Sequence, residues 1–180
     1  MTPTEFFYDL GSPYAWLTAE RIDGLFDEPP VWTPVLLGGI FKATGRGSWA
    51  QTDRRADGIA EIELRALSRG LPPLRWPEPW PNDGLHVMRV AAHADSRKFA
   101  LAAFRAQFVG GRALSDPATV AAIAAQVGIE PVEAKQRLRE NTDRALELGV
   151  VGVPSVVAGG EVFRGDDRLD DAARASAGDE

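Results

Sequence analysis

The sequence contains no cysteine. That absence excludes disulfides, thiolate metal sites, cysteine nucleophiles and any dithiol–disulfide reaction carried by the chain's own side chains. Histidine is scarce: His86 and His93 are the two in 180 residues. Seven positions apart on a helix they share a face but stand roughly 10 Å apart along the axis, too far to hold one metal ion in the i,i+4 manner. No run approaches roughly 18 consecutive apolar residues, so no membrane-spanning helix is expected. The opening MTPTEFFYDL lacks a basic region followed by a long apolar segment, and a cytoplasmic location is expected. A basic excess is also missing. With a formal net charge of -6 and no clustered Lys and Arg, nucleic acid is not an expected partner.

What is present is the balance of a soluble globular protein, 44% hydrophobic and 26% charged residues. EFFYDL reads as a short buried strand. Ser12 followed by Pro13 marks a helix start, and the helix is expected to run through YAWLTAERIDGLF. PPVWTPVLLGG reads as a second extended segment, at an edge or bulged because of Pro34. The polar stretch FKATGRGSWAQTD leads to a helix, RRADGIAEIELRALSR, stopped by Gly70. LPPLRWPEPWPND, with five prolines and two tryptophans, reads as a fixed loop.

The centre reads as helical. Ser96 caps one helix, Asp116 and Pro117 open another that Gly128 stops, and a further one is expected from Pro131 to Gly149. In VPSVVAGGEVFRG the two β-rich runs meet at Gly159 and Gly160, a two-residue hairpin signal, and DDRLDDAARA closes the chain as a helix. The order β-α-β, helices, β-β-α predicts an α/β thioredoxin-like fold. Residues 1–49 and 149–180 would form that domain, with 50–148 as an all-helical insertion over one end of the sheet.

Four places in this pattern offer chemistry. Ser12 is a helix cap worth about 1 kcal/mol; it also stands where a thioredoxin-type fold carries its reactive thiol, at an anion-stabilising helix start. With serine there, the protein cannot supply the sulfur but can donate a hydrogen bond to one carried in by a small molecule. A serine hydrolase is not indicated, since LGSPY lacks the G-x-S-x-G elbow and no histidine is placed as partner. Val153–Pro154 opens an apolar strand; a cis bond there would present the backbone of Val153 to an extended, peptide-like ligand. Lys42 with Asp167 and Arg168 reads either as solvated surface charge or as a receiver for the ends of a small zwitterionic peptide. In the proline-rich loop, Trp76 and Trp80 offer flat apolar surface and Asn82 a polar contact for an acceptor, or the loop is simply a rigid connector. Tyr8 and Tyr14 read as core or rim residues rather than acids.

FFYDLGSPYAW, LLGGIFKATG and GVVGVPSVVAGGEVFRGDDRL together resemble three segments of the 2-hydroxychromene-2-carboxylate isomerases and the related kappa-class glutathione transferases, in the DsbA-like branch of the thioredoxin superfamily. The resemblance spans nearly the whole chain. It implies that Ser12 hydrogen-bonds the glutathione sulfur and that Lys42 binds the glycine carboxylate. It further implies that Val153 pairs with the cysteinyl backbone beside a cis-Pro154, while Asp167 and Arg168 hold the γ-glutamyl end. It also implies a homodimer and a small aromatic or unsaturated second substrate. The activity expected is thiol-dependent isomerisation, with glutathione or another low-molecular-weight thiol and no metal. A kappa-type transferase and a non-catalytic binding domain are the alternatives. Gly11, Arg46 and Asp166 depart from the family pattern, which usually has a bulkier residue, an asparagine, and an asparagine or serine there. Asp166 would add negative charge near the ligand.

Overall fold

The structure, a computed structural model, describes residues 3–178. Its sheet has the order β2-β1-β3-β4. β1 (Glu5–Tyr8) and β2 (Val31–Pro34) run parallel, with Phe6 opposite Trp32. β3 (Ser155–Ala158) returns antiparallel to β1, and β4 (Glu161–Arg164) pairs with β3. The turn between them is Gly159–Gly160, with φ of 58° and 85°, the left-handed pair that a tight hairpin requires. This is the predicted thioredoxin arrangement.

Alternation along the strands sends Phe6, Tyr8, Val156 and Phe163 to one face and Phe7, Val157 and Val162 to the other. The first face is aromatic: Phe6 and Trp32 meet edge-on at 5.0 Å, and Tyr8 contacts Phe104 at 5.9 Å. It is covered by α1 (Pro13–Ala19), α5 (Arg97–Phe108) and α8 (Leu169–Ala177), with α4 (Leu85–Ala94) and α6 (Pro117–Val127) completing that core. The second face is smaller and more aliphatic. Ile40 of α2 (Leu37–Thr44) and Ala145 of α7 (Lys135–Glu147) close it over Phe7 and Val35. The last helix of the expected 50–148 insertion therefore packs on the sheet itself, where Arg144 Nη1 donates to Glu5 at 2.9 Å.

Three elements differ from expectation. α1 ends at Ala19, short of residue 26: the amides of Arg21 and Ile22 both turn back to the Thr18 carbonyl, and Gly24 then takes φ 84°. α2 replaces an expected extended and polar stretch. Two glycines make it a poor helix by propensity, but its start is fixed from outside: Leu36 N–H donates to Thr142 Oγ1 at 3.0 Å and Leu37 N–H to Asp9 Oδ2 at 2.8 Å. Gly39 faces α7, where a Cβ would stand in van der Waals contact with Thr142 at 3.4 Å. α7 begins at Lys135 rather than Pro131, because Ala134 N–H is drawn off to the carbonyl of Arg89. The remaining helix, α3 (Arg55–Ser68), lies close to its expected span and ends before Gly70, at φ 68°.

Candidate active site

The ends of β1 and β3, the start of α1 and the segment 36–54 enclose one cleft of about 1000 Å³. At its floor Ser12 is 6% exposed. Its Oγ accepts the Ala15 N–H at 3.2 Å, so the cap reading is correct as geometry. Accepting uses the oxygen and leaves the hydroxyl hydrogen to donate, and no acceptor for it stands among the described residues. The helix start offers less than expected. α1 is seven residues long, Pro13 has no N–H, and the Ala15 amide is occupied by Ser12. Of the first-turn amides, the one of Tyr14 is left for a ligand, so any anion here depends chiefly on the Ser12 hydroxyl.

Beside Ser12 lies Val153–Pro154, and the bond is cis. Among the described residues Val153 makes no backbone hydrogen bond, whereas the Pro154 carbonyl accepts Gly165 N–H at 2.9 Å. The N–H and C=O of Val153 are thus open to an extended ligand. Ser12, Val153, Pro154, Asp167, Trp80 and Asn82 all line the cleft.

Lys42, Arg168 and Trp76 are not part of its lining. Lys42 is exposed on α2, where the neighbouring Phe41 takes the wall. Arg168 pairs with Asp171 at 2.5 Å and lies over the Phe163 ring. Trp76 packs against Trp80 at 4.6 Å with the two rings tilted by 56°, and donates its indole N–H to Glu63 at 2.8 Å. Asn82 lines the cleft with its amide nitrogen engaged by the Pro79 carbonyl and Gln107; its oxygen is the group left for a ligand.

Asp166 corrects an expectation. It is 1% exposed, and Arg65 and Arg69 of the α3 region bind its two oxygens at 2.5 and 2.6 Å. Its charge is neutralised inside the protein rather than offered to a ligand. Arg65 also stacks over Tyr14 and pairs with Glu61. Tyr14 donates its hydroxyl to Glu61 at 3.1 Å, and burial together with that carboxylate pushes its pKa up to about 12. It is a rim residue, as the sequence suggested.

Four lining residues escaped the sequence reading. Asp9, 7% exposed, accepts Gly11 N–H and Leu37 N–H at 2.8 Å each; burial pushes its carboxyl above the usual range while those two amides pull it down. A glycine follows it closely because a Cβ on Gly11 would stand 3.3 Å from Oδ1. Trp49 contacts Tyr14 at 6.0 Å and Trp80 at 5.6 Å. Its ring sits on Gly58, where a Cβ would fall 2.3 Å from it; a glycine inside the α3 pattern was the available signal. Arg54 and Arg164 line the cleft with Arg46, all exposed and without ion-pair partners among the described residues. Nothing in the sequence singled out the first two.

A family model described as DSBA-like thioredoxin domain matches residues 4–177. The chain belongs to the DSBA-like thioredoxin family. Among solved structures, this DSBA-like protein is similar to a 2-hydroxychromene-2-carboxylate isomerase, with TM-score 0.78 and 23% identity over 92% of this chain and 90% of that one. It is also similar to a probable DsbA oxidoreductase from Streptomyces coelicolor, with TM-score 0.75 and 16% identity over 98% and 90% of the two chains. At such identities the likeness establishes the shared fold. No curated protein matches the chain in sequence. Among the described residues no helix is long and apolar enough to cross a membrane.

Proposed function

We propose that this DSBA-like protein is a glutathione-dependent cis–trans isomerase of the 2-hydroxychromene-2-carboxylate isomerase type, acting on a small unsaturated aromatic acid. The observation that carries the reading is Ser12: a hydroxyl with a free hydrogen at the position of a thioredoxin-type thiol, in a chain without cysteine. The likeness to a 2-hydroxychromene-2-carboxylate isomerase supports it. The likeness to a DsbA oxidoreductase does not extend to its chemistry, because no side chain here can form a disulfide.

The residues present fit a thiol tripeptide. Val153 offers an unpaired N–H and C=O for the cysteinyl backbone, and Asp167, exposed at the rim, offers a carboxylate for the γ-glutamyl amine. Arg46, unpaired and on the cleft, is better placed for a terminal carboxylate than Lys42. The volume of about 1000 Å³ is at the upper end for small-ligand pockets and admits a second molecule. Glutathione would supply a thiolate that adds reversibly to an unsaturated carbon and so frees rotation about the former double bond. Ser12 lowers the thiol pKa by donating to the sulfur, each unit being about 1.4 kcal/mol. Trp49 and Trp80 form an aromatic wall that holds the acceptor in line.

Isomerisation of 2-hydroxychromene-2-carboxylate, followed by absorbance with and without glutathione, tests the reading. Ser12→Ala is expected to lower kcat about 10²-fold, the usual scale for one transition-state hydrogen bond, with glutathione affinity kept within about threefold. Unchanged turnover would leave Ser12 as a cap alone. A stable thioether product in place of an isomer would mark the protein as a transferase.

A further inference from the structure

The proposed reaction leaves a proton to be placed. A thiol that binds as thiolate sheds one at the cleft floor, and neither histidine lines the cleft: His86 sits against Glu133 at 2.7 Å and His93 is exposed. Asp9 does line it. It follows β1 directly, and its carbonyl accepts the Ser12 N–H at 3.0 Å, which sets its side chain at the same turn as the hydroxyl. No cation pairs with it among the described residues. The Gly11 and Leu37 amides donate to it at 2.8 Å each and so favour its anion against the effect of burial, yet they engage one lone pair on each oxygen of a group that offers about four.

We propose that Asp9 is the proton acceptor for the bound thiol. The S–H bond breaks, its electron pair stays on sulfur, and the proton forms an O–H bond with the Asp9 carboxylate; release of the thiol reverses the transfer. The inference rests on the thiol-binding reading given above. Two anions at one buried floor repel, and protonating Asp9 removes that repulsion. Burial acts in the same direction, holding the Asp9 carboxyl above its ordinary range. The other ionisable groups facing the cleft are not equivalent. Tyr14 is neutral and donates to Glu61; Arg46, Arg54 and Arg164 are cations; Arg65 is engaged by Asp166, which is bound by Arg69 as well; Asp83 and Asp167 are exposed. Tyr8, next to Asp9 on β1, is buried and held neutral, partly by Asp9 itself. Lys42 on α2 lies outside the lining.

Asp9 also ties β1 to α2, so the test must separate holding from proton transfer. Glutathione is titrated calorimetrically into the protein near pH 7 in two buffers of different ionisation enthalpy, with thiolate absorbance and difference infrared spectra recorded alongside. The wild-type protein is expected to develop thiolate absorbance with no net proton released, together with a protonated-carboxyl band. Asp9→Asn is expected to lose that band, to release one proton per thiolate formed, and to lower kcat about 10²-fold with glutathione affinity changed less than threefold. If Asp9→Asn does not fold, the wild-type proton count decides. Thiolate with one proton released, or binding without thiolate, overturns the role of Asp9 while leaving thiol binding intact. No binding heat and no thiolate band overturns the thiol reading, and this role with it.

Discussion

The cleft has two walls built by different means. The floor wall, formed by Asp9, Ser12 and Val153–Pro154, lies at the ends of strands and the start of a helix: its polar groups are set by β1, the α1 start and β3. The outer wall, formed by Tyr14, Trp49, Trp80 and the arginines, is made of side chains from segments distant in sequence. The first is fixed by the fold and the second by packing, so substitutions in the two should fail differently.

The largest effect is expected where the outer wall is anchored. Asp166→Ala leaves Arg65 and Arg69 half-buried without their shared carboxylate; the cost is expected at about 3 kcal/mol, the low end for breaking a buried pair, because both guanidiniums reach water and Arg65 keeps Glu61. Urea unfolding would measure it, and a loss below about 1 kcal/mol would show that water takes the place of Asp166. Next is Gly58→Ala, which drives a methyl into the Trp49 ring. Overpacking costs about 1–3 kcal/mol, and displacement of Trp49 should shift the tryptophan emission while leaving glutathione binding unchanged. Weakened glutathione binding would join the two walls that the comparison separates. Ser12→Ala should cost about 1 kcal/mol in stability, small beside its effect on turnover.

The smallest effect is spectroscopic. Tyr14 is pushed up to about 12 and Tyr8 is raised as well, so neither should ionise near 10, where tyrosines of an unfolded chain titrate. A raised pKa means stability that is complete below about 10 and is lost as pH rises through about 12. An absorbance titration of the folded protein should show no tyrosinate at pH 10.5, and tyrosinate there would contradict the burial of both rings.

The sequence was most legible where local rules govern. The Ser12–Pro13 start, the Asp116 and Ser96 caps and the Gly159–Gly160 hairpin are local devices, and all four stand as read. The cis bond at Val153–Pro154 agrees with what the family resemblance implied, and the β-α-β and β-β-α units agree with the predicted thioredoxin arrangement. α2 was illegible because its two glycines argue against a helix, while the groups that fix its start, Asp9 and Thr142, lie 28 and 106 residues away. Trp49, Arg54 and Arg164 reach the cleft by tertiary packing, which no local spacing encodes. Asp166 was placed correctly in sequence beside the site, but its neutralisation depends on two arginines about 100 residues earlier.

The central claim is that a borrowed sulfur anion rests against the Ser12 hydroxyl. Its most direct test is the pKa of the glutathione thiol bound to the wild-type protein and to Ser12→Ala, read from thiolate absorbance across pH. The account predicts a bound pKa at least one unit below that of free glutathione, returning toward the free value in Ser12→Ala. A bound thiol that titrates identically in both proteins and in solution would contradict it.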